Sequence, residues 1–397
     1  NIFIGRGAAT RHERLLWSSL FLASILLFGC QPKPASQATK QETAQGTAKP
    51  VEKYGVPVVS GPMDSVLLKD YVPDSSLVVP ETKVPKARFP AIDVHAHVYA
   101  ETKEELVEWV KTMDEVGVER TIILTDATGA EFDRLADLYL KTYPNRFQLY
   151  CSLDTSDSGA SDYPQRAVRE LVRCYEQGAR GVGELSDKGW GYNGSSAHPL
   201  PRNQRIHPDD PRLDLFWKKC AELKIPVNTH IADHPCWQPL GPHQERTPDF
   251  QTFNLYGKDV PSYEELLSHR DRLLERHPDT RFIACHLSNQ GNNLAALGQV
   301  LDRFPNLYLD IAARDYELGR EPRTALRFLT RYKDRILFGT DMGRDRKVYE
   351  GWWRLLETRD EFLPGRIWWR YYALELPGEV LENLYCGNAK RLLNWKP

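Results

Sequence analysis

From Phe89 onward the chain alternates short apolar runs with amphipathic stretches of helical length, and this alternation constrains the fold more than any other feature. Such runs read as strands, and the stretches between them as the crossover helices of a parallel sheet. Eight runs can be counted: Ala91-Ile92-Asp93-Val94, Arg120-Thr121-Ile122-Ile123-Leu124, Phe147-Gln148-Leu149-Tyr150-Cys151, Ala179-Arg180-Gly181-Val182-Gly183, Pro226-Val227-Asn228-Thr229, Phe282-Ile283-Ala284-Cys285, Leu307-Tyr308-Leu309-Asp310 and Ile336-Leu337-Phe338-Gly339. Helices are expected over 103–116, 130–143, 164–177, 214–223, 263–277 and 292–304. Gly117, Gly178, Pro144, Pro278 and Pro305 supply stop signals. Eight strand–helix units over roughly 300 residues predict one α/β domain, a (β/α)8 TIM barrel spanning 89–397. The surplus length follows strands four, five and eight, at 189–212, 234–261 and 343–370. These segments fall on the face where such barrels build active sites, and they read as lids or substrate walls.

The residues before Phe89 differ in kind. Arg6, Arg11 and Arg14 precede an uncharged run from Leu15 to Gly29, too short to span a bilayer but suited to the apolar core of an export signal. The run ends in Leu27-Phe28-Gly29-Cys30, which resembles a bacterial lipoprotein processing site with Cys30 as the lipidated residue. That resemblance implies a signal peptide over 1–30 and membrane attachment through a lipid on Cys30. With Gln31 rather than Asp next in line, it favours the outer membrane. Residues 31–50, rich in Gln, Thr, Ala, Lys and Pro, cannot bury enough apolar area to fold and read as a tether. Residues 51–88 read as an extended arm packing on the barrel.

A formal net charge of -2, with acidic and basic residues interspersed, gives no basic stripe for nucleic acid. The expected partner is a small-molecule substrate, and homo-oligomerisation stays open. Besides Cys30, the scattered cysteines show no CxxC spacing and several sit in apolar runs, so buried free thiols are expected.

The chemistry lies in what ends the strands. His95 and His97 form an HxH closing the first, and side chains two apart on a strand point the same way, about 6.5 Å apart. Glu184 ends the fourth strand, His230 the fifth, His286 the sixth and Asp341 the eighth. A lone histidine in such a place is usually a satisfied core residue. Six ionisable groups meeting at one barrel mouth are different, because burying them together is costly without a cation. His and carboxylate ligands suit zinc, with manganese, iron or cobalt as alternatives.

This set resembles the amidohydrolase superfamily, in particular the amidohydrolase-related branch that also contains zinc-dependent decarboxylases. The resemblance covers 89–395, through Asp93-Val94-His95-Ala96-His97, Gly339-Thr340-Asp341 and a closing Gly387-Asn388-Ala389-Lys390-Arg391-Leu392-Leu393. It implies His95, His97 and His230 as metal ligands and Asp341 as a further ligand that also moves the proton of the attacking water. His286 would polarise the scissile bond or bind a second metal. Glu184 stands where many binuclear members carry a carboxylated lysine. It is similar to the bridging glutamate of TatD-like nucleases, or else it hydrogen-bonds a ligand histidine from behind. One ion is expected, two if Glu184 bridges. Trp237 and Trp190 are candidates for pocket walls, and Arg314 or Arg344 for holding a substrate carboxylate in bidentate fashion. Three functions follow: hydrolysis of a small ester-, amide- or lactone-like substrate, non-oxidative decarboxylation of a small aromatic acid, or metal-stabilised binding without catalysis. Ligands spare to a closed structural site disfavour the third. The export signal favours the first.

Overall fold

The computed structural model describes residues 52–53, 56–57, 60–67, 70, 75–233, 255, 257–365 and 369–393. The signal segment with Cys30, the tether, and Trp237 lie outside the described residues. The chain divides into two compact units, Asn1–Val66 and Leu67–Pro397. In the first, Glu52–Lys53 pairs antiparallel with Val56–Pro57, and Pro62–Ser65 forms a 3-10 turn.

The second unit is a (β/α)8 barrel. Its strands are β1 (Ala91–Ala96), β2 (Val118–Leu124), β3 (Phe147–Cys151), β4 (Ala179–Asp187), β5 (Val227–Ile231), β6 (Phe282–Ala284), β7 (Leu307–Asp310) and β8 (Ile336–Leu337). Each pairs in parallel with the next in sequence. The ring nearly closes where the Val94 N–H donates to the Phe338 carbonyl (2.9 Å) and the Asp341 N–H to that of His95 (2.9 Å). Around it run α1 (Lys103–Val116), α2 (Gly129–Thr142), α3 (Tyr163–Glu176), α4 (Asp214–Leu223), α5 (Tyr263–Arg276), α6 (Leu294–Arg303), α7 (Pro322–Arg331) and α8 (Arg346–Glu357). Local signals account for the clean ends. In α1, Thr102 and Glu105 form a reciprocal capping box, and Gly117 takes the left-handed conformation (φ 86°) that stops the helix.

One expectation is corrected. The segment 343–370 is not a continuous loop, because α8 occupies its first half and buries Tyr349, Trp352, Trp353, Leu355 and Leu356 against the barrel. Their spacing is helical, but the charged residues among them mask it.

Two hydrophobic layers hold the barrel. The larger lies between strands and helices; the smaller fills the interior with Ile92, Val94, Ile122, Leu124, Tyr150, Ile283 and Leu337. Cys386, Ala389 and Leu392 of the C-terminal segment join that interior layer. Gly181 is required here: a Cβ at this position would lie 2.4 Å from the Tyr150 ring. Residues 82–88 pack alongside, with Thr82 donating through N–H and Oγ1 to Asp360 (2.7 and 2.6 Å). The Ala87 N–H donates to the Val116 carbonyl (2.9 Å). The five described cysteines, Cys151, Cys174, Cys220, Cys285 and Cys386, are free and buried.

Strand register sets the aim of the site. On β1, Ile92 and Val94 face the interior while Asp93 faces outward, accepting from Tyr349 Oη (3.1 Å) and Thr340 Oγ1 (2.8 Å). Simple alternation would send His95 outward with Asp93. A register shift between Asp93 and Ala96 turns His95 inward instead. A second shift, between Val182 and Leu185 on β4, does the same for Glu184.

Gly181→Ala should destabilise the protein by roughly 1–3 kcal/mol through overpacking. Thermal unfolding would show it as a lowered Tm, partly restored when Tyr150→Leu is added. A double variant no more stable than Gly181→Ala alone would contradict this account of the interior.

Candidate metal centre

The five predicted ligands and His286 converge at the C-terminal ends of the strands, and Glu184 lies at their centre. Its Oε1 is 2.7 Å from His230 Nδ1 and 3.2 Å from His286 Nε2. Its Oε2 is 3.4 Å from His97 Nε2 and 3.6 Å from His95 Nε2. Asp341 divides its oxygens in the same sense. Oδ1 faces His97 (3.2 Å) and His95 (3.8 Å), while Oδ2 faces His286 (3.8 Å). Each carboxylate thus presents one oxygen to either side of the cluster.

The rings are held so that their Nε2 atoms face these oxygens. His97 Nδ1 lies 3.2 Å from the Leu124 carbonyl and His286 Nδ1 2.8 Å from that of Ala312. A carbonyl only accepts, so both Nδ1 atoms carry a proton and Nε2 is left to take a second proton or a metal ion. His95 Nδ1 likewise donates to the buried Asp310 (2.9 Å). Three Nε2 atoms therefore face two carboxylates, a contact that needs a proton or a cation between them, and His95 Nε2 and His230 Nε2 are buried without a hydrogen-bond partner. Such an arrangement is stable only with something positive between the groups. Among the described residues four donor sets are close enough to share a cation: His95, His97 and Asp341; Glu184, His230 and His286; His95, His286 and Asp310; and His95, Glu184 and Cys285. The residues fit a divalent ion with nitrogen and oxygen ligands.

The electrostatics agree. Burial opposes charge on His97, yet hydrogen bonds that it donates to Asp341 and Glu184 raise its pKa to about 10. Burial likewise opposes charge on His95, but Asp310, Glu184 and Asp341 raise it well above the usual imidazole value. Burial resists ionisation of Glu184, and His230 and His95 nonetheless hold it well below the normal carboxylate range. Asp341 is likewise held low against burial, mainly by His95 and His97. His286 differs, since burial lowers its pKa more than Glu184 raises it.

Four polar residues of the site were not singled out from sequence. Asp310 ends β7 and accepts from His95 Nδ1 and from the His286 N–H (2.7 Å), so one carboxylate orients two ligand candidates. Asp126, after β2, reaches to 3.6 Å from His97 Nδ1 with a side chain 60% exposed. Beyond β4 and β5, Lys188 Nζ pairs with Asp233 (3.0 Å), whose other oxygen is 3.7 Å from His230 Nε2. The signal available for Asp310 was the one used for the others, a polar residue closing an apolar strand.

The predicted substrate-binding arginines are engaged elsewhere. Arg314 is buried, donates to Asn289 Oδ1 (2.5 Å) and pairs with Glu317 (3.2 Å). Arg344 turns to α1, donating to the Glu105 carbonyl (2.7 Å). Trp190 packs with Leu255 and Val260 beneath Arg205, whose guanidinium lies 5.4 Å from its ring.

The sequence profile of the amidohydrolase family matches residues 92–395. Among solved structures, the chain is similar to a dihydroxybenzoic acid decarboxylase from Polaromonas sp. JS666 that carries manganese and 2-nitroresorcinol. That match is at 18% identity and a TM-score of 0.50, covering 77% of this chain and 97% of the other. An uncharacterized TIM-barrel protein from Bordetella bronchiseptica matches at 20% identity and a TM-score of 0.49, over 77% and 98%. A 2,6-dihydroxybenzoate decarboxylase from Rhizobium matches at 16% and 0.48, over 77% and 99%. No curated protein sequence matches. At such identities the structural likeness is one of fold, whereas the profile spans the barrel from β1 to the C-terminal segment. The chain belongs to the amidohydrolase family.

Proposed function

We propose that the protein is a metal-dependent hydrolase of small ester-, amide- or lactone-like substrates, in which His95, His97, Glu184, His230, His286 and Asp341 would hold two divalent ions. The observation that carries this reading is the division of Glu184 and Asp341, each with one oxygen toward His95 and His97 and the other toward His286. Charge supports it. Glu184, Asp341, Asp310, Asp233 and Asp126 set five carboxylates against the single ammonium of Lys188, a deficit that two divalent ions would balance. Two ions held there would supply Lewis acidity suited to hydrolysis, whereas decarboxylation has no entering water.

A divalent ion there supplies Lewis acidity and brings the ionisation of a water near neutral pH. The chain's own residues do the rest. His95, His97, His230 and His286 fix the ion positions, with Asp310 locking the His95 ring. Asp341, at the rim and one-quarter exposed, accepts the proton of the attacking water and returns it to the leaving group. The metal is zinc or manganese on ligand chemistry, with iron and cobalt also suited. Release of carbon dioxide from aromatic acids without hydrolysis of an ester panel would replace this reading with the decarboxylase.

We further propose that the protein is exported and tethered to the outer membrane through a lipid on Cys30. Among the described residues no helix is long and apolar enough to cross a membrane. Palmitate labelling lost in Cys30→Ser would support the anchor, and labelling retained would remove it.

Asp341→Asn should lower kcat on the order of 10²–10⁴-fold with the fold intact by circular dichroism. Elemental analysis should find two equivalents of metal per active chain and fewer in Glu184→Gln. One equivalent in fully active enzyme rules out the second ion. Protons and cations compete for the same Nε2 lone pairs, and His97 keeps its proton up to about pH 10 in the metal-free protein. Metal affinity should therefore rise as pH is raised from 7 to 9, about tenfold per unit for each proton displaced. Calorimetry in buffers of different ionisation enthalpy would detect the released proton, and a flat pH profile would contradict the assignment.

A further inference from the structure

Glu184 and Ser186 alternate along the end of β4 and leave one face of the strand, and Lys188 follows in the bend just past its last residue, Asp187. Glu184 sits in the metal cluster. Ser186 is exposed and in register with His230 on β5, and Lys188 comes one step further toward the rim. Lys188 is not a wandering surface lysine. Its Nζ is 3.0 Å from Asp233 Oδ2, and Asp233 is 2% exposed while the Lys188 side chain keeps 31% exposure. The buried carboxylate fixes the ammonium close to the cluster, and part of the Lys188 side chain stays exposed.

This placement matters because Asp126, Glu184, Asp310 and Asp341 bring carboxylates to the cluster, while Arg314 nearby is paired with Glu317. Two divalent ions would balance these carboxylates, and a further fixed cation beside them would then favour a substrate bearing its own carboxylate. Burial opposes the charge of Lys188, but Asp233, Glu184 and Asp341 raise its pKa, so it stays an ammonium across the working range. Arg314 and Arg344 cannot serve as readily, being tied to Glu317 and Glu105.

We propose that Lys188 is the specificity-determining cation of the site, receiving a carboxylate that the substrate carries beside its reacting bond. The enzyme then acts on small carboxylic acids in preference to their neutral counterparts. The inference rests on the reading of the cluster as the catalytic site, though not on which bond is broken there. Asp233 holds Lys188 and, through His230, links the substrate's anion to the metal cluster.

The test is calorimetric binding of benzoate and of neutral benzamide to the metal-loaded protein, in wild type, Lys188→Met and Lys188→Arg, with metal content measured on each. Benzoate should bind wild type, weaken about tenfold or more in Lys188→Met and largely recover in Lys188→Arg, with benzamide unchanged throughout. Equal benzoate affinity in wild type and Lys188→Met, or no benzoate binding to wild type, overturns the proposal. So does a parallel loss of benzoate and benzamide, or loss of metal from Lys188→Met, since either would mean that Lys188 only positions His230. Lysine-dependent benzoate binding in a protein that hydrolyses nothing would leave this inference standing and bring down the hydrolase.

Discussion

The site depends on histidine Nε2 atoms fixed opposite carboxylate oxygens. Carbonyls of Leu124 and Ala312 and the carboxylate of Asp310 accept hydrogen bonds from Nδ1 of His97, His286 and His95. Each ring then turns Nε2 toward Glu184 and Asp341. The space between them calls for positive charge, supplied by protons until a cation displaces them, and the barrel's packing holds it in place. Affinity for a divalent ion would come from this fixed scaffold rather than from ligands gathering around the metal.

The backbone shows how the scaffold is enforced. Left-handed residues other than glycine recur where strands end at the mouth: Asp126, Ala232, the run His286 to Asn289, Ala313 and Asp341. Each costs on the order of 1–2 kcal/mol relative to ordinary backbone. Hydrogen bonds across the rim offset the cost, as where Asp310 Oδ1 accepts from the N–H groups of His286 (2.7 Å) and Ala312 (3.1 Å). Strain concentrated where the chemistry lies is what a preorganised site requires.

Much of this was readable from the chain alone, and the rest was not for definite reasons. The β1 and β4 ligands stand at the ends of recognisable apolar runs, so their convergence follows from barrel topology. How they come to point inward does not. Strict alternation sends His95 to the side of Asp93, and the correcting shift depends on pairing with β2. Asp310 was visible only as the last residue of a strand, because its role appears when the neighbouring His95 ring is placed beside it. Arg314 and Arg344 looked free to bind an anion, since nothing local announces Glu317 as a buried partner or Glu105 as a distant one. Lys188, in turn, acquires meaning only through Asp233, which lies 45 residues further along.

The C-terminal segment shapes traffic through the molecule. Cys386, Ala389 and Leu392 enter the interior layer, while Asn388 Nδ2 donates to the Ile336 carbonyl (2.6 Å) at the start of β8. The floor of the barrel is thereby stoppered by the chain's own last helix. The cluster is thereby kept from the floor of the barrel, and among the described residues Asp126 and Lys188, at the opposite face, keep part of their side chains exposed beside it.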